Sequence, residues 1–266
     1  MAGDVLMQVI IPLTGYGSRF AAAGYEKLKP FIEIHGRPMI EWVVKMFDPA
    51  QDRIIFVARG EHLKNLDYTL PELRRIAPDA RIFSIENWQK KGPVHDVLQA
   101  QEWIDEKEEV IVSYCDYYMR FDYSAFKRDV CARGCDGCVP CYSGFHPHLL
   151  PRHNVYASCK TDEAENLIEI REKFSFEKDK MLSRHSPGLY YFRSGEILKK
   201  YSRKLIEAND HIKGEFYCSL VYNYLLKDNL RVWCPVNVRH FCQWGTPEDL
   251  EEYLFWINSI MRWRKI

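Results

Sequence analysis

Two glycines, a hydroxyl group and an arginine stand close together in the stretch 14–19, near the start of the chain. Glycines let a backbone turn sharply and point several N–H groups at one spot, which suits a polyphosphate. Ten residues after Arg19, Lys29 adds a point positive charge just before Pro30, which stiffens the chain. These residues indicate triphosphate chemistry. Taken alone they also allow an ordinary turn, because the spacing is neither that of the P-loop nor that of the dinucleotide fingerprint.

The whole stretch from Val9 to Met39 resembles the signature of the sugar-phosphate nucleotidyltransferases, also called nucleoside-diphosphate-sugar pyrophosphorylases. That signature runs G-x-G-[ST]-R, a spacer, P-K-P, and G-K-P-M-I. Here it reads Gly15-Tyr16-Gly17-Ser18-Arg19, then Leu28-Lys29-Pro30, then Gly36-Arg37-Pro38-Met39-Ile40. In this family a phosphorylated acceptor attacks the α-phosphorus of a nucleoside triphosphate. The resemblance therefore implies a nucleotidyltransferase that releases pyrophosphate.

The resemblance implies a role for each residue that matches a family motif. Arg19, Lys29 and Asp116 are the implied catalytic residues. Arg19 would hold the leaving pyrophosphate, and the other two would act near the α-phosphate. The implied nucleotide-binding residues are Leu13, Thr14, Gly15, Tyr16, Gly17, Ser18, Gln89 and Gly92.

Asp116 directly follows the apolar run 109–114. A carboxylate at a strand end can reach Mg²⁺ between phosphates, whereas a generic loop Asp would cap the next segment. The family has a metal-binding Asp at this point, so the resemblance implies Mg²⁺ as the cofactor. The string from Gly245 to Leu250 also matches the family, but Gln243 stands where many relatives have a second metal-binding Asp. An amide oxygen is a neutral ligand, so we expect Mg²⁺ to bind less tightly to the protein alone.

Two later stretches resemble the family elements E-K-P and G-[LI]-Y-x-F, which line the acceptor pocket. They imply that Glu172, Lys173 and Gly188 bind the acceptor, with Lys173 meeting its phosphate as a flexible point charge. Phe174 replaces the family's proline. Charge alone also allows Lys173 to be an exposed lysine at a strand end.

The loop 86–92 and the helix start that follows it correspond to the family segment that holds the nucleobase and ribose. The residues from Pro93 to Asp96 depart from that pattern, which leaves the base open among cytosine, thymine, uracil and guanine. We interpret His95 and Asp96 as residues of a first helical turn, where the helix dipole favours an acid.

Short apolar runs alternate with helix-like stretches along the chain. Predicted strands follow at 53–58, 81–85, 109–114, 137–142, 167–173, 186–192 and 232–236, after a first strand at 9–11. Predicted helices lie at 38–47, 61–76, 93–103, 196–209, 215–227 and 250–260, and the last is apolar enough to dock. This order predicts an α/β fold, a single-domain three-layer sandwich with a mostly parallel, Rossmann-like mixed sheet, which binds ligands at the carboxyl ends of its strands.

We expect one nucleotidyltransferase domain over residues 1–266, with nucleotide binding mainly in 1–135 and acceptor binding mainly in 136–266. Lys plus Arg equals Asp plus Glu at 37 each, so the formal net charge is zero. The chain therefore has no net positive charge that would attract nucleic acid or an anionic membrane. The sequence shows neither a run of about eighteen apolar residues nor a signal peptide, from which we expect a cytoplasmic protein without membrane insertion. Family habit favours a homo-oligomer.

Nine cysteines without a signal peptide indicate reduced thiols. The run Cys131, Cys135, Cys138 and Cys141 has metal-like spacing, but 137–142 is more typical of a strand that enters the core. Three histidines at 146, 148 and 153 are interpreted as a substrate-facing loop or as surface residues, because the proline between two of them disfavours zinc.

The resemblance runs in order from Val9 to about Leu254, and it favours synthesis of a precursor for surface polysaccharide or capsule. Two alternatives within the family stay open: a cytidylyltransferase that acts on a non-sugar phosphate, and a catalytically silent nucleotide-binding regulatory homologue. A glycosyltransferase would need an Asp-x-Asp motif after a strand, and the sequence following Asp116 lacks the second Asp.

Overall fold

The computed structural model describes residues 6–150 and 156–263. Its strands are β1 (Met7–Pro12), β2 (Glu33–Ile34), β3 (Arg37–Pro38), β4 (Arg53–Arg59), β5 (Arg81–Ile85), β6 (Glu109–Ser113), β7 (Tyr117–Arg120), β8 (Gly137–Cys138), β9 (Ser158–Thr161), β10 (Leu167–Arg171), β11 (Arg184–His185), β12 (Leu189–Phe192), β13 (Val232–Trp233) and β14 (His240–Gln243). Its α-helices are α1 (Ser18–Ala22), α2 (Met39–Val44), α3 (Gly60–Asn65), α4 (Thr69–Ile76), α5 (Pro93–Gln99), α6 (Tyr123–Arg133), α7 (Gly195–Glu207), α8 (Cys218–Lys227) and α9 (Pro247–Trp263).

A seven-stranded sheet in the order β13-β8-β12-β6-β1-β4-β5 forms the centre of the structure. Strands β6, β1, β4 and β5 run parallel to one another, while β12 is antiparallel to both of its neighbours. This is the mostly parallel mixed sheet predicted from the alternation of strands and helices.

Both faces of the central sheet are covered because its strands are apolar throughout. Val9 and Ile11 of β1 pack into one core cluster with α2 and α6, and Ile10 between them packs into another with α5, α7 and α8. Successive side chains of a strand point to opposite faces, so a continuous apolar run is what a strand between two helical layers requires. The predicted three-layer α/β sandwich is confirmed.

Smaller sheets attach the later parts of the chain to this frame. Strand β9 lies between β10 and β11, antiparallel to both, and β14 pairs antiparallel with β7. In the β7–β14 register Gln243 lies opposite Tyr117, the residue after Asp116. A segment near the end of the chain thereby reaches the edge of the sheet where β1 and β6 end.

Several predicted boundaries differ from the observed ones. The predicted helix 61–76 is two helices, α3 and α4, and the predicted helix 93–103 ends at Gln99, before a short 3₁₀ turn. Helix α9 docks through one face only: Leu250 is buried, whereas Phe255 and Trp256 are exposed. Within the described ranges, no helix has the length and hydropathy needed to cross a membrane.

The cysteines and histidines take different places from those that their spacing suggests. All nine cysteines are free thiols, and residues 137–142 are buried, as expected for a segment that enters the core. The regular strand is shorter than predicted: β8 ends at Cys138, and Cys141 and Tyr142 form isolated bridges. The prediction that the histidines face substrate or solvent is wrong for His146 and His148, which are buried. Burial lowers the pKa of His148 to about 3, and its Nε2 lies 3.0 Å from the hydroxyl of Tyr142. His153 lies outside the described residues.

Candidate active site

Two adjoining cavities lie at the carboxyl ends of the central strands. The first, of about 350 Å³, is lined by the loop after β1 and by the segments that follow β5 and β6. The second, of about 300 Å³, is lined by segments around β10, β12 and β14. Five residues line both cavities: Arg19, Tyr114, Asp116, Tyr217 and Gly245. A ligand in one cavity therefore lies next to a ligand in the other.

The first cavity brings together most of the predicted nucleotide-binding and catalytic residues. Its lining includes Thr14, Gly15, Tyr16, Gly17, Ser18, Arg19, Lys29, Gly92 and Asp116. Two predicted residues are not part of this lining. Leu13 is buried in the core, where its backbone N–H donates to the carbonyl of Val57, and the cavity takes Trp88 and Lys90 on either side of Gln89.

Lys29 and Asp116 form an ion pair between the two cavities. Lys29 Nζ lies 2.8 Å from Asp116 Oδ2, and the two side chains keep 18% and 24% of their exposure. Burial disfavours the charged form of Lys29, but the carboxylate of Asp116 outweighs it and raises the lysine pKa above its ordinary value. Lys29 is therefore a permanent cation that stays partly open to a ligand.

Gln243 and Asp116 approach each other closely around Gly245. A Cβ atom at Gly245 would lie 2.5 Å from Gln243 Nε2 and 3.3 Å from Asp116 Oδ2, so a larger residue there would displace the Gln243 side chain. The backbone N–H of Trp244 donates to the carbonyl of Asp116 and fixes this approach. One carboxylate and one amide thus face the boundary between the cavities. The thiol of neighbouring Cys115 stays protonated, because burial raises its pKa to about 12.

The second cavity brings together the three predicted acceptor-binding residues, Glu172, Lys173 and Gly188. Burial raises the pKa of Glu172 to about 7, although a hydrogen bond from Ser219 and the charge of Lys173 oppose the shift. Lys173 Nζ lies 3.2 Å from the hydroxyl of Tyr217. This cavity therefore presents a cation beside a carboxyl group that titrates near neutral pH.

Asp96 is a site residue that our sequence interpretation missed. It does lie in the first turn of α5, but its carboxylate is 2% exposed and lines the first cavity. It accepts hydrogen bonds from the hydroxyl of Thr14 and, at 3.0 Å, from the indole N–H of Trp88. No signal in the sequence marked it, because its burial depends on Thr14 and Trp88, which lie in other segments of the chain.

Residues 9–182, more than half of the chain, match the family described as MobA-like NTP transferase domain. The chain belongs to this family. This family match agrees with the nucleotidyltransferase motifs found in the sequence. It is also 22% identical over 236 residues to the Bifunctional protein GlmU of Methanocaldococcus jannaschii, an alignment that covers 85% of this chain and 52% of that protein. The chain thus spans about half the length of this curated relative.

Solved structures share the fold of this chain. The nucleoside-diphosphate-sugar pyrophosphorylase of Vibrio cholerae superposes with a TM-score of 0.73 at 20% identity, covering 92% of this chain and 99% of the other. A UDP-glucose pyrophosphorylase solved with UDP-glucose gives 0.71 at 15% identity, with coverages of 98% and 100%. A putative glucose-1-phosphate thymidylyltransferase of Bacillus anthracis gives 0.71 at 15%, with 93% of each chain covered. The predicted fold type is confirmed.

Proposed function

We propose that this nucleotidyltransferase joins a nucleoside triphosphate to a sugar phosphate or another small phosphorylated acceptor. An oxygen of the acceptor phosphate forms a bond to the α-phosphorus of the triphosphate, and the bond from that phosphorus to the bridging oxygen breaks. The products are a nucleotide-diphospho compound and pyrophosphate. The observation that carries the proposal is the meeting of the two cavities at Arg19 and Asp116, with Lys29 paired to Asp116 at 2.8 Å.

This reaction requires the protein to position two anionic reactants and to neutralise their charge. Arg19 and the backbone N–H groups of 15–18 hold the leaving pyrophosphate, and Lys29 stabilises the charge at the α-phosphate. Lys173 aligns the acceptor phosphate from the second cavity, beside Glu172 and Gly188. No general base is needed, because a phosphate nucleophile is already ionised near neutral pH.

Asp116 and Gln243 are the residues that would hold Mg²⁺. Their side-by-side carboxylate and amide offer oxygen ligands of the kind that Mg²⁺ takes, with triphosphate oxygens and water completing the shell. When bound, the ion supplies positive charge at the triphosphate. Only one of the two ligands is anionic, which favours binding of Mg²⁺ together with the nucleotide.

The remaining assignments follow the same division of the molecule. We propose that Gln89 and Gly92 hold the nucleoside and that the loop 13–18 binds the nucleotide, so that residues 1–135 mainly bind nucleotide and 136–266 mainly bind acceptor within one domain. The product class fits a precursor of a surface polysaccharide or capsule, including one made by a cytidylyltransferase from a non-sugar phosphate. We also propose that the chain self-associates, because members of the family commonly do.

A panel assay tests the function. Each of the common nucleoside triphosphates is combined with hexose 1-phosphates and with non-sugar phosphates, in the presence of Mg²⁺, and pyrophosphate release is measured. We expect one pair of substrates to give release that depends on both components. Tight nucleotide binding without release in any combination would instead support the silent regulatory homologue, the reading that the neutral Gln243 favours.

A further inference from the structure

Three side chains from neighbouring strand ends stack against one another at the mouth of the first cavity. Tyr16 lies in the loop after β1, Arg59 is the last residue of β4, and Trp88 lies in the loop after β5, and these strands are adjacent in the sheet. The Arg59 guanidinium carbon lies 3.8 Å from the ring centroid of Tyr16 and 4.5 Å from that of Trp88. The two rings meet edge to face at 5.0 Å. We call these three residues the aromatic clamp.

Arg59 is buried in an unusual way. It is 3% exposed, and one of its terminal nitrogens pairs with Glu61, but its Nε and Nη1 have no hydrogen-bond partner among the residues that the structure describes. A guanidinium that gives up water normally regains hydrogen bonds in the protein. Here the faces of two aromatic rings provide much of the compensating attraction. Arg59 and the rings therefore depend on each other for their positions.

The two rings of the clamp differ in how firmly they are held. The Trp88 indole is fixed from its other edge by Asp96, which also accepts the hydroxyl hydrogen of Thr14 in the glycine loop. Tyr16 is 54% exposed, so Arg59 covers one part of the ring and leaves the rest open. Both rings line the first cavity, whereas Arg59 lines neither cavity. Without Arg59, the edge-to-face contact with Trp88 would be the one contact of this set left to hold the Tyr16 ring.

We propose that Arg59 is a positioning residue for the nucleotide site: it holds Tyr16 against Trp88, and the two rings form the surface on which the nucleobase stacks. This inference rests on the proposed function, because it concerns the base of the same triphosphate. The glycine-loop N–H groups and Lys29 lie at the phosphate end of the cavity. Arg59 therefore acts on the affinity for the base and leaves the affinity for the triphosphate group largely unchanged.

Stacking gives this part of the site a particular selectivity. Every nucleobase has an aromatic face, and removing an aromatic partner typically weakens binding by about 5- to 150-fold. Stacking discriminates between bases less sharply than hydrogen bonds to their edges do. We therefore expect the aromatic clamp to raise the affinity for all nucleoside triphosphates, while the choice among bases falls to other groups.

Calorimetric titration tests the inference with two probes, a nucleoside triphosphate and inorganic tripolyphosphate, each with Mg²⁺. Arg59→Ala and Tyr16→Ala should weaken nucleoside triphosphate binding about 10- to 100-fold and change tripolyphosphate binding less than about threefold. Arg59→Lys should retain part of the affinity, because a lysine still offers a cation to the rings. In steady-state assays the loss should appear in KM for the nucleotide far more than in kcat.

A matched control exists in the same fold. Arg81 at the start of β5 stacks over Trp103 at 4.6 Å, outside both cavities, so Arg81→Ala removes a similar pair and should leave both probes unaffected. Equal losses for both probes in the Arg59 variants, or no loss in either, would overturn the inference. If Arg59→Ala does not fold, the half-exposed Tyr16→Ala decides alone. Failure of both probes to bind the unmutated protein would instead refute the proposed function.

Discussion

The ion pair between Lys29 and Asp116 sets what single substitutions should do to the reaction. Each residue stabilises charge at the boundary of the two cavities, and removing one leaves the other without its partner at 2.8 Å. We expect Lys29→Ala and Asp116→Ala each to lower pyrophosphate release about 10²-fold or more, as is typical of groups that stabilise developing charge. The measurement is the initial rate with the substrate pair found in the panel assay.

Lys27 offers the control for that prediction. It lies two residues before Lys29, pairs with Glu33 at 2.8 Å, and is 49% exposed outside both cavities. Lys27→Ala should keep release within about twofold of the unmutated rate, since an exposed ion pair contributes little. Rates for Lys29→Ala within a few fold of the unmutated enzyme would show that its assigned role is wrong.

The raised pKa of Glu172 makes stability depend on pH. The folded state binds its proton more tightly than the unfolded chain, so this group stabilises the fold below the ordinary pKa of 4.5, and that contribution is lost as pH rises to about 7. Glu172→Gln has no charge to titrate. It should therefore match the unmutated protein in thermal unfolding near pH 4.5 and unfold at a higher temperature near pH 8. The control variant Glu26→Gln, at an exposed position, should show no such pH-dependent difference in unfolding temperature. A difference for Glu172→Gln that does not change with pH would contradict the raised pKa of Glu172.

Residues that act through a backbone turn, a strand end or a family motif were predictable from the sequence, and residues that act through orientation were not. The glycine loop and Asp116 follow apolar runs whose ends meet at one sheet edge, and Lys29 stands in a family motif. Asp96 and Trp88 needed the angle of α5 against the loop after β5. Arg59 looked like the end of a strand, because nothing local reveals that two aromatic rings from neighbouring strand ends cover it.

At the scale of elements, the long apolar strands were predicted closely, and the short strands β8 and β13 were predicted too long. The sequence pattern did not predict the short strands β2, β3, β7, β9, β11 and β14. Strands β4, β5 and β6 match their predicted positions closely because each is a run of β-branched and aromatic residues. Pairing of β7 with β14 joins segments more than a hundred residues apart, and local periodicity carries no information on such a contact. That pairing is what brings Gln243 to Asp116.

Gly92 sets how closely α5 packs against the segment before α8, and its substitution should weaken both the fold and nucleotide binding. It precedes α5 at a φ of 88°, and a Cβ atom there would lie 2.6 Å from the backbone nitrogen of Phe216 and 2.8 Å from its carbonyl oxygen. Gly92→Ala must push α5 away from the segment before α8. We expect the free energy of unfolding to fall by more than about 2 kcal/mol and nucleotide affinity to fall with it.

Gly24→Ala is the control variant that distinguishes the cost of backbone strain from the cost of the clash with Phe216. It has the same φ of 88°, but a Cβ atom there would meet nothing within 4 Å. Gly24→Ala should cost about 1–2 kcal/mol from conformation alone and leave nucleotide affinity unchanged. Denaturant unfolding and calorimetric titration measure the two effects. Equal unfolding losses in the two variants would show that the contact with Phe216 does not matter.

Across the whole molecule, positive and negative charges balance, and the cations of the first cavity follow the same rule. The net charge is zero, Lys29 pairs with Asp116, and Lys90 pairs with Glu215 at 3.0 Å. Such an arrangement gives little long-range attraction for a highly charged triphosphate. Arg19 and buried Asp96 add one more cation and one more carboxylate to the same lining, so its charges also balance. Tight binding of the triphosphate therefore requires a cation that binds together with it.

This balance predicts that nucleotide binding and the stability it confers depend on Mg²⁺. A ligand at 100 times its Kd raises the free energy of unfolding by about 2.7 kcal/mol, so thermal unfolding reports on binding by the whole chain. We expect such stabilisation by the triphosphate with Mg²⁺ and a markedly smaller one after chelation, because the ion would supply positive charge between the carboxylate of Asp116 and an anionic ligand. The ligand-free protein serves as the control, since chelation should leave its unfolding temperature unchanged. Equal stabilisation with and without Mg²⁺ would mean that Arg19 and the two lysines alone neutralise the triphosphate, and that the carboxylate of Asp116 serves only to orient Lys29.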